Sequence, residues 1–459
     1  MIHRYQKKGL NFVLDVNSGA VHLLDDISYA VSGLLDENMG DTCPQSIIDA
    51  LPDYTADEIR EAYDELYELK KAGQLFAQDD YIDVSRYIPV NAPVKALCLH
   101  VAHDCNLRCK YCFASTGDFG QGRKIMPPEI AKKAIDFVIA RSGVRHNIEV
   151  DFFGGEPLMA WDTVTQTVDY ARSLEEKYNK KFRFTITTNG LLLDEDKRKY
   201  INENMDNCVL SLDGRREVND EFRKTVAGTG SYDTIVPKFK ALVDERDPNL
   251  DYYARGTFTS HNLDFAEDVL SIADAGFDRL SVEPVTADPG CGYDLTEDDL
   301  PKIEAEYDRL TDIMLERKKE GKPFTFFHFM VDLDQGPCVV KRLRGCGAGY
   351  EYVAVTPDGD IYPCHQFVGK DEFKQGSVLD QSFNMDIAQK FASMNIYSRP
   401  KCQKCWAKFY CSGGCSAANY NMNHDMNDSY DLGCEMERKR LECAIYLKAM
   451  DKICANQSK

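Results

Sequence analysis

The chain has 459 residues, of which 43% are hydrophobic and 28% are charged, a composition ordinary for a globular protein of about two to four domains. No run approaches the roughly 20 apolar residues that a membrane span needs, and the first residues lack the apolar segment of a secretory signal. The net charge of −20 argues against a general binder of nucleic acid or of anionic membranes. We therefore expect a cytoplasmic protein.

The cysteine content is the most informative part of the composition. There are 17 cysteines, an odd number, in a chain that shows no export signal. A reducing cytoplasm disfavours a disulfide framework, so clustered cysteines are predicted to be metal ligands or catalytic thiols.

Residues 1–80 are predicted to form a small α/β module. Two apolar runs at 11–16 and 20–24, joined by Asn-Ser-Gly, predict a β-hairpin, and Leu75–Ala77 is predicted to add a closing strand. A hairpin with three helices is a winged-helix-like arrangement. The helices are expected near 26–37, 44–51 and 55–72, the last with Ile59, Tyr63, Leu66 and Leu69 on one face and an end at Gly73. The following residues, 81–95, are predicted to be a linker.

Residues 96–335 alternate between short apolar runs and helical patterns. This alternation predicts parallel βα units in an open or closed barrel, with the active residues at the carboxyl ends of the strands. Residues 336–459 are rich in cysteine and leave little room for an apolar core, so bound metal is expected to organise much of this region. The six predicted strands are Ala96–Val101, Ile148–Phe153, Phe184–Thr188, Val209–Leu212, Tyr253–Thr259 and Leu280–Pro284.

A first cysteine cluster directly follows the first of these strands. Cys105, Cys109 and Cys112 form a C-x3-C-x2-C pattern on one short loop. Three thiolates can hold a four-iron cluster and leave one iron open to a small chelating ligand. From the triplet alone, a structural zinc site with His100 or His103 as fourth ligand is the alternative.

Polar residues are predicted at the ends of the next strands. Gly154-Gly155-Glu156-Pro157 closes the second strand, where the glycines are expected to let a ligand approach the backbone and Glu156 to accept from an ammonium group. The third and fourth strands end in Thr187–Gly190 and Ser211–Gly214, which suit ribose hydroxyls. Arg255 on the fifth strand suits a carboxylate.

With C-x3-C-x2-C followed by Gly-Gly-Glu-Pro at the next strand end, the sequence resembles the radical S-adenosylmethionine (SAM) superfamily over about residues 96–290. The resemblance implies a partial (β/α)6 barrel, a [4Fe-4S] cluster on the three cysteines, and reductive cleavage of SAM to a radical that abstracts hydrogen. It also implies that Gly154, Gly155 and Glu156 hold the SAM amine, that Ser211 and Asp213 lie near the ribose, and that Arg255 or Arg223 pairs with the carboxylate.

Seven cysteines between 346 and 434, with Gly359 and the Gly413-Gly414 pair, resemble the SPASM extension of radical SAM enzymes, which carries two auxiliary iron–sulfur clusters. The implied total is three [4Fe-4S] clusters. The inner cluster lacks one ligand, which is either Cys338 or a thiolate of the substrate. The implied ligands are Cys402, Cys405, Cys411 and Cys434 for the outer cluster and Cys346, Cys364 and Cys415 for the inner one.

The first 80 residues resemble the element of peptide-modifying enzymes that clamps a leader peptide. The whole chain resembles the maturases of SCIFF peptides (six cysteines in forty-five residues). This resemblance implies a ribosomally made precursor peptide as partner, an external electron donor, and a thioether bond from a cysteine sulfur to an acceptor carbon of threonine. The surplus electron would pass to the auxiliary clusters.

Two other readings compete with this one. The first is an anaerobic sulfatase-maturing enzyme, a family that places Asp as a base where this chain has His365. The second is an electron-transfer or zinc-organised scaffold, which leaves Gly-Gly-Glu-Pro unexplained.

Overall fold

The computed structural model describes residues 1–86, 92–333 and 342–457. Contacts divide the chain into a terminal unit (Met1–Tyr87, Phe329–Gly345 and Met394–Lys459) and a central unit (Ile88–His328 and Cys346–Ser393). The segment 336–459, which the sequence predicts as one domain, therefore contributes to both units. No helix among the described residues is both long enough and apolar enough to cross a membrane.

The terminal unit combines a three-stranded antiparallel sheet, in the order β1-β2-β3, with helices from both ends of the chain. Elements are numbered in chain order throughout. The strands are β1 (Ile2–Lys7), β2 (Leu10–Asp15) and β3 (Val21–Leu24). The helices are α1 (Asp26–Ser32), α2 (Gln45–Ala50), α3 (Ala56–Lys71), α4 (Ile82–Arg86), α13 (Pro400–Gln403), α14 (Lys408–Cys411), α15 (Ser416–Asn423) and α16 (Asp431–Gln457).

The central unit contains one large mixed sheet and its flanking helices. Its strands are β4 (Ala96–His103), β5 (Lys124–Ile125), β6 (Asn147–Gly154), β7 (Lys181–Thr188), β8 (Asn207–Ser211), β9 (Asp251–Phe258), β10 (Arg279–Pro284), β11 (Thr325–Phe326), β12 (Tyr352–Val355), β13 (Asp360–Tyr362), β14 (Gly376–Ser377) and β15 (Ser382–Phe383). Its helices are α5 (Pro128–Arg141), α6 (Trp161–Tyr178), α7 (Glu195–Asn204), α8 (Arg216–Phe222), α9 (Tyr232–Asp244), α10 (Phe265–Asp274), α11 (Leu300–Lys319) and α12 (Met385–Ser393). Short 3-10 turns lie at Ser115–Gly117, Pro157–Ala160, Glu297–Asp299, Phe327–Phe329, His365–Phe367 and Asp371–Phe373.

The large sheet contains the six predicted parallel strands and extends beyond them. Its order is β11-β10-β9-β8-β7-β6-β4-β12-β13-β14-β15, with β5 paired to β4. β11 adds a further parallel strand at one end, and β12 pairs in parallel with β4 before β13–β15 continue as antiparallel hairpins. The hairpin of β12 and β13, which lies between Cys346 and Cys364, is thus part of the same sheet as the strand that leads to the first cysteine cluster.

Alternate residues of the central strands face two different surroundings. On β6 and β7, Phe152, Phe182 and Phe184 are wholly buried, whereas intervening residues such as Asp151 and Thr185 are only partly buried. This period-2 pattern gives the sheet one apolar face, against the helices, and one polar face. The polar face carries the site described below.

The N-terminal sheet contains a strand, β1, that the sequence did not predict. β1 pairs with β2 in the register Ile2↔Asp15, and no strand forms at the predicted Leu75–Ala77. The three predicted helices are confirmed, with slightly shorter bounds. On α3, Ile59, Tyr63 and Leu66 are buried in one apolar core and Leu69 packs against it. α3 begins with a capping box between Thr55 and Glu58.

β1 packs on the C-terminal part of the terminal unit. The ring of His3 stacks on Trp406 at a centroid distance of 3.7 Å, and His3 Nε2 lies 2.9 Å from a carboxylate oxygen of Glu442. Lys7, which is buried, places its Nζ 3.2 Å from the sulfur of Cys443. The first strand is therefore fixed to α16 and to the residue that follows Cys405.

A second link joins the end of the N-terminal segment to α14. Lys408 is buried, and its Nζ lies 2.7 Å from Asp79, which also accepts a hydrogen bond from Tyr397. Burial alone would raise the pKa of Asp79, but the hydrogen bonds from Lys408 and Tyr397 lower it below its usual value. The paired carboxylate therefore stabilises the folded state above the ordinary pKa of aspartate, and this contribution is lost as pH falls through the lower folded pKa.

Replacing Asp79 with Asn should destabilise the terminal unit, because it leaves the Lys408 ammonium buried without its counter-ion. We expect a loss of about 2 kcal/mol at pH 7. The loss should shrink only below about pH 4, as the pH falls through the lowered pKa of Asp79 in the folded parent. Anaerobic thermal unfolding at a series of pH values measures both effects. The neighbouring Asp80→Asn, at an exposed position, is the control, and an equal loss in both variants would contradict the role of the ion pair.

Candidate active site

The first cysteine cluster lies on the loop that leaves β4 at the carboxyl edge of the parallel sheet. Removal from solvent raises the pKa of Cys105 and of Cys109 to about 12, and raises that of Cys112. The neighbouring thiols contribute in the same direction, since Cys109 and Cys112 both raise the pKa of Cys105. The three thiols are therefore close together, and a cationic metal centre is what would hold them as thiolates.

Backbone N–H groups point at these sulfurs. Leu107 N lies 3.4 Å from Cys105 Sγ, and the N–H groups of Ala114, Thr116 and Gly117 hydrogen-bond to the Cys112 thiol. The donors to Cys112 come from a turn in which Thr116, a non-glycine residue, has φ = 65°. Strained backbone of this kind is concentrated at functional sites.

This donor set fits an iron–sulfur cluster, whose thiolate ligands typically accept backbone hydrogen bonds. In the part of the chain that the structure describes, no group of three His, Cys, Asp or Glu side chains is placed to hold a single metal ion.

The loop is braced from both sides. Arg108 N donates to Lys224 O at 2.7 Å, which ties the loop to the segment after α8. On the other side, Asn189 at the end of β7 donates from Nδ2 to Asn106 Oδ1 at 2.8 Å. Asn189 is one of the polar residues that the sequence places at a strand end, and its role here is to hold the loop.

The two glycines of Gly-Gly-Glu-Pro pack against the loop backbone. A Cβ on Gly154 would overlap the carbonyl oxygen of Ala102, and one on Gly155 would overlap that of Asp104. Gly155 N donates to Ala102 O at 2.7 Å across the same contact. The sequence predicts that these glycines make room for a ligand. In the structure, the protein's own backbone fills the space that they leave. Both glycines also line the cavity described below.

Glu156 is buried and connects strand ends. Its carboxylate accepts from Thr188 Oγ1 at 2.7 Å, Asn189 N at 2.8 Å and Leu158 N at 3.0 Å. Burial raises its pKa to about 7 in spite of these hydrogen bonds. A carboxylate can accept about four hydrogen bonds, so one further donor, such as an ammonium group, can still be accommodated.

Asp213, which is predicted to lie near a ribose, is not among the residues that line the cavity. Its carboxylate is wholly buried and accepts from Tyr111 Oη at 2.6 Å and Thr257 N at 3.0 Å. It also pairs with Arg223 at 3.0 Å. Three protein partners occupy its oxygens, so Asp213 holds neighbouring residues in place. Ser211, predicted for the same role, does line the cavity.

The two candidate arginines differ in position. Arg223 lies beside Cys109 and Cys112, whose pKa values its charge lowers. Burial alone would lower the pKa of Arg223, but Asp213 raises it and keeps the guanidinium charged. Arg255 lies at the cavity with Nε 2.9 Å from Glu283 and has N–H groups left for a second carboxylate. Both arginines line the cavity.

A cavity of about 240 Å³ lies at this edge of the sheet. Its walls combine the cysteine loop, the ends of five parallel strands and the turn after Cys364. The wall also contains residues that the sequence did not predict, namely Phe113, Phe153, Thr257 and Glu283, and it includes His365, the residue that stands where the sulfatase-maturing family has Asp. The alternation of side chains along a strand could have predicted two of these positions. Thr257 lies two residues after Arg255 on β9, and Glu283 lies two residues after Ser281 on β10, so each faces the same side of the sheet as that residue.

Three histidines surround the aromatic part of this wall. His100 and His103 are buried on β4, with His100 Nδ1 3.1 Å from His103 Nε2. Burial lowers the pKa of His100, and lowers those of His103 and His365 to about 4. All three imidazoles are therefore neutral at pH 7.

The structure brings the four predicted outer-cluster cysteines together in the terminal unit. Burial raises the pKa of Cys411 to about 12, with further contributions from Cys434 and Cys402. Burial likewise raises the pKa of Cys434 to about 11, helped by Cys402 and Cys405 and opposed by Arg438. The four thiols therefore lie near enough to influence one another's pKa.

The predicted inner set is spread over both units. Cys346 (exposed) and Cys364 (buried, close to Cys98) lie in the central unit, whereas Cys415 (exposed) lies in the terminal unit. Cys338 lies outside the described residues. The shared inner cluster therefore stays a prediction.

Comparison with known families gives two matches. Residues 99–251 match the Radical SAM superfamily, and residues 346–406 match the SPASM iron–sulfur cluster-binding domain. These matches support a radical SAM enzyme with a SPASM domain. The two domains imply iron–sulfur clusters and SAM binding.

Similar proteins include a cysteine-type anaerobic sulfatase-maturating enzyme of Clostridium novyi, 25% identical over 72% of this chain and 90% of that protein. The radical SAM cyclopropyl synthase TigE of Paramaledivibacter caminithermalis is 24% identical over 72% of this chain and 70% of TigE. Among solved structures, anSMEcpe with bound AdoMet has a TM-score of 0.65 at 21% identity, covering 80% of this chain and all of that one. These structural neighbours support the mixed α/β fold with its parallel sheet.

Gly155→Ala should displace the cysteine loop, because the added Cβ meets the Asp104 carbonyl with no space to move. We expect the purified variant to lose most of the iron held by this loop, about four atoms per chain. Anaerobic iron analysis measures the loss. Gly40→Ala, where a Cβ meets nothing within 4 Å, is the control. Full iron content in Gly155→Ala would contradict the backbone contact as a requirement for the site.

Proposed function

We propose that this radical SAM enzyme is a peptide maturase that joins a cysteine sulfur to a carbon atom of an acceptor residue, threonine, in a ribosomally made cysteine-rich precursor. One observation carries the proposal. His365 and Gln366, which directly follow Cys364, line the same cavity as Cys105, Cys109 and Cys112. A carbon radical formed in this cavity would therefore lie close to the residue proposed to hold an auxiliary cluster.

Cys105, Cys109 and Cys112 would hold a [4Fe-4S] cluster, which with SAM and one electron from an external donor would supply a 5′-deoxyadenosyl radical. SAM would leave as methionine and 5′-deoxyadenosine, and the 5′-deoxyadenosine would carry the hydrogen removed from the acceptor carbon. Formation of the C–S bond then releases the thiol proton and one electron, for which iron–sulfur centres are the acceptor class that a SPASM domain provides. The peptide loses two hydrogens in total.

The chain's own residues bind and orient the reactants. Glu156 offers its remaining acceptor position to the SAM amine, and Ser211 and Thr257 offer hydroxyls at the strand ends. Arg255 offers N–H groups to the SAM carboxylate. Arg223 supplies positive charge beside Cys109, which offsets the negative charge of the thiolates.

Relatives support a peptide substrate. The Streptococcus suis protein SuiB, of the same fold, has been solved bound to its precursor peptide SuiA, with a TM-score of 0.51. The mycofactocin maturase MftC of Mycolicibacterium smegmatis is 26% identical over 72% of this chain and 80% of MftC. The cytoplasm, where precursor thiols stay reduced, is the compartment that we propose.

The second candidate is sulfatase maturation, which the Clostridium novyi relative favours. That chemistry uses an Asp base directly after the cysteine that corresponds to Cys364. This chain has His365 there instead. Because the Asp of that family's pattern is absent, we rank this candidate second.

The N-terminal module is proposed to bind the leader segment of the precursor. β3 pairs only with β2 among the described strands, so its outer edge is open to strand addition. Beside it, the start of α1 and one face of α3 line a groove of about 420 Å³. The groove contains the carboxylates of Asp25, Asp26, Glu58, Glu61 and Glu65, which favour a leader with lysine or arginine side chains.

The proposed reaction is tested by anaerobic incubation of the reconstituted enzyme with SAM, a reductant and a cysteine-rich precursor encoded beside its gene. We expect a product that is two hydrogens lighter and resists thiol reduction. The parent should hold about twelve irons and a C105A/C109A/C112A variant about eight, with no SAM cleavage. A product that carries formylglycine, or a parent that cleaves SAM but modifies no precursor, would refute the thioether proposal.

The leader groove is tested by reversing its charge. E61K/E65K should raise the Kd for a fluorescent precursor about tenfold, through electrostatic repulsion of a basic leader. Fluorescence anisotropy measures binding, and SAM cleavage without peptide should not change. Asp57→Lys on the same helix, outside the groove and 96% exposed, is the matched control. Equal effects of both changes would rule out the groove as the leader site.

A further inference from the structure

His365 forms part of the cavity wall, between two phenylalanines of the radical site. Its ring lies 5.5 Å from that of Phe113, which follows Cys112, and 5.0 Å from that of Phe153, which precedes Gly154. These contacts fix the ring beside the place where substrate must meet the radical. A role for this ring in binding the substrate rests on the proposed peptide-modifying function.

A chain of hydrogen bonds behind the ring orients it. The phenol oxygen of Tyr352 lies 3.4 Å from His365 Nδ1. The same phenol hydrogen-bonds to the buried thiol of Cys98 on the neighbouring strand β4. The register of the sheet fixes the position of Tyr352 relative to Cys98, because β12 pairs with β4 at Tyr352↔Ala96 and Ala354↔Cys98.

The direction of these bonds follows from donor and acceptor strength. Tyr352 has one O–H, and an imidazole nitrogen is a far better acceptor than a thiol sulfur. The phenol therefore donates to His365 Nδ1, and the weak S–H donor of Cys98 points to the phenol oxygen. With Nδ1 as acceptor, the neutral ring carries its proton on Nε2.

Nε2 of His365 has no protein partner among the described residues, although the side chain lines the cavity. We propose that His365 is a substrate-binding residue that donates its Nε2–H to an oxygen of the acceptor residue, with Tyr352 as the positioning residue that fixes its tautomer. The hydrogen bond holds the acceptor carbon in one orientation for hydrogen abstraction. An Asp at this position, as in the sulfatase-maturing family, presents only acceptors when ionised and would repel that oxygen.

The test measures how tightly SAM cleavage is coupled to peptide modification. His365→Leu should raise the ratio of 5′-deoxyadenosine to modified peptide about fivefold, because the acceptor residue is held less well. His365→Gln, which keeps an N–H donor, should restore most of the coupling. Tyr352→Phe should give a ratio between those of the two His365 variants, because the tautomer of His365 is then no longer fixed. Tyr362→Phe removes a phenol from the adjacent β13 and should leave the ratio at the parent value.

Peptides with valine in place of the acceptor threonine identify the oxygen. If the hydroxyl is the partner, the parent enzyme should lose coupling on the valine peptide and His365→Leu should lose no more. If the backbone carbonyl is the partner, the parent should stay coupled on this peptide and His365→Leu should still lose coupling.

The outcomes separate this inference from the proposed function. A parent-like ratio in His365→Leu, or equal losses in His365→Leu and His365→Gln, would overturn the inference while peptide modification by the parent stands. Failure of the parent to modify any precursor would remove both. Iron content and precursor anisotropy equal to the parent's show that each variant is folded. Should His365→Leu fail this check, the ratio in Tyr352→Phe decides, and a parent-like value there overturns the inference.

Discussion

The whole site depends on a close backbone contact between the end of β6 and the loop that leaves β4. Gly155 N donates to Ala102 O, and Glu156 N donates to Asp104 O at 2.9 Å. Only residues without side chains can approach so closely, which is why Gly154 and Gly155 occupy this turn. The contact places the Glu156 carboxylate where it accepts hydrogen bonds from Thr188 and Asn189 at the end of β7. Asn189 in turn donates a hydrogen bond to Asn106 in the cysteine loop. A few hydrogen bonds thus hold three strand ends together.

Much of this could be predicted because the relevant information is local in the sequence. Strand ends, glycine turns and cysteine spacings are patterns within a few residues, and they placed Cys105, Glu156, Ser211 and Arg255 at one edge of one sheet. The role of Asp213 could not be predicted in the same way. Its partners Tyr111 and Thr257 are about 100 and 44 residues away in the chain, and only the fold shows that they occupy its carboxylate.

The N-terminal part shows a second limit of local patterns. β1 has a mixed apolar and polar sequence, and its partly buried side chains are explained by α16, more than 400 residues later. The sequence therefore predicts a self-contained module of residues 1–80, whereas its sheet packs on the C-terminal part of the terminal unit. Likewise, the pairing of β12 with β4 is long-range, and it is this pairing that brings His365 to the cavity.

The stacking of His3 on Trp406 also gives the molecule a spectroscopic property. The chain has two tryptophans: Trp161 in the central unit, where it meets Tyr200 edge-on, and Trp406 in the terminal unit. Each unit therefore carries a single indole fluorophore. Emission from Trp406 reports on the N-terminal sheet and on the neighbourhood of Cys405, while emission from Trp161 reports on the parallel sheet. When one of the two tryptophans is changed to phenylalanine, the intrinsic fluorescence of the other reports the unfolding of its own unit.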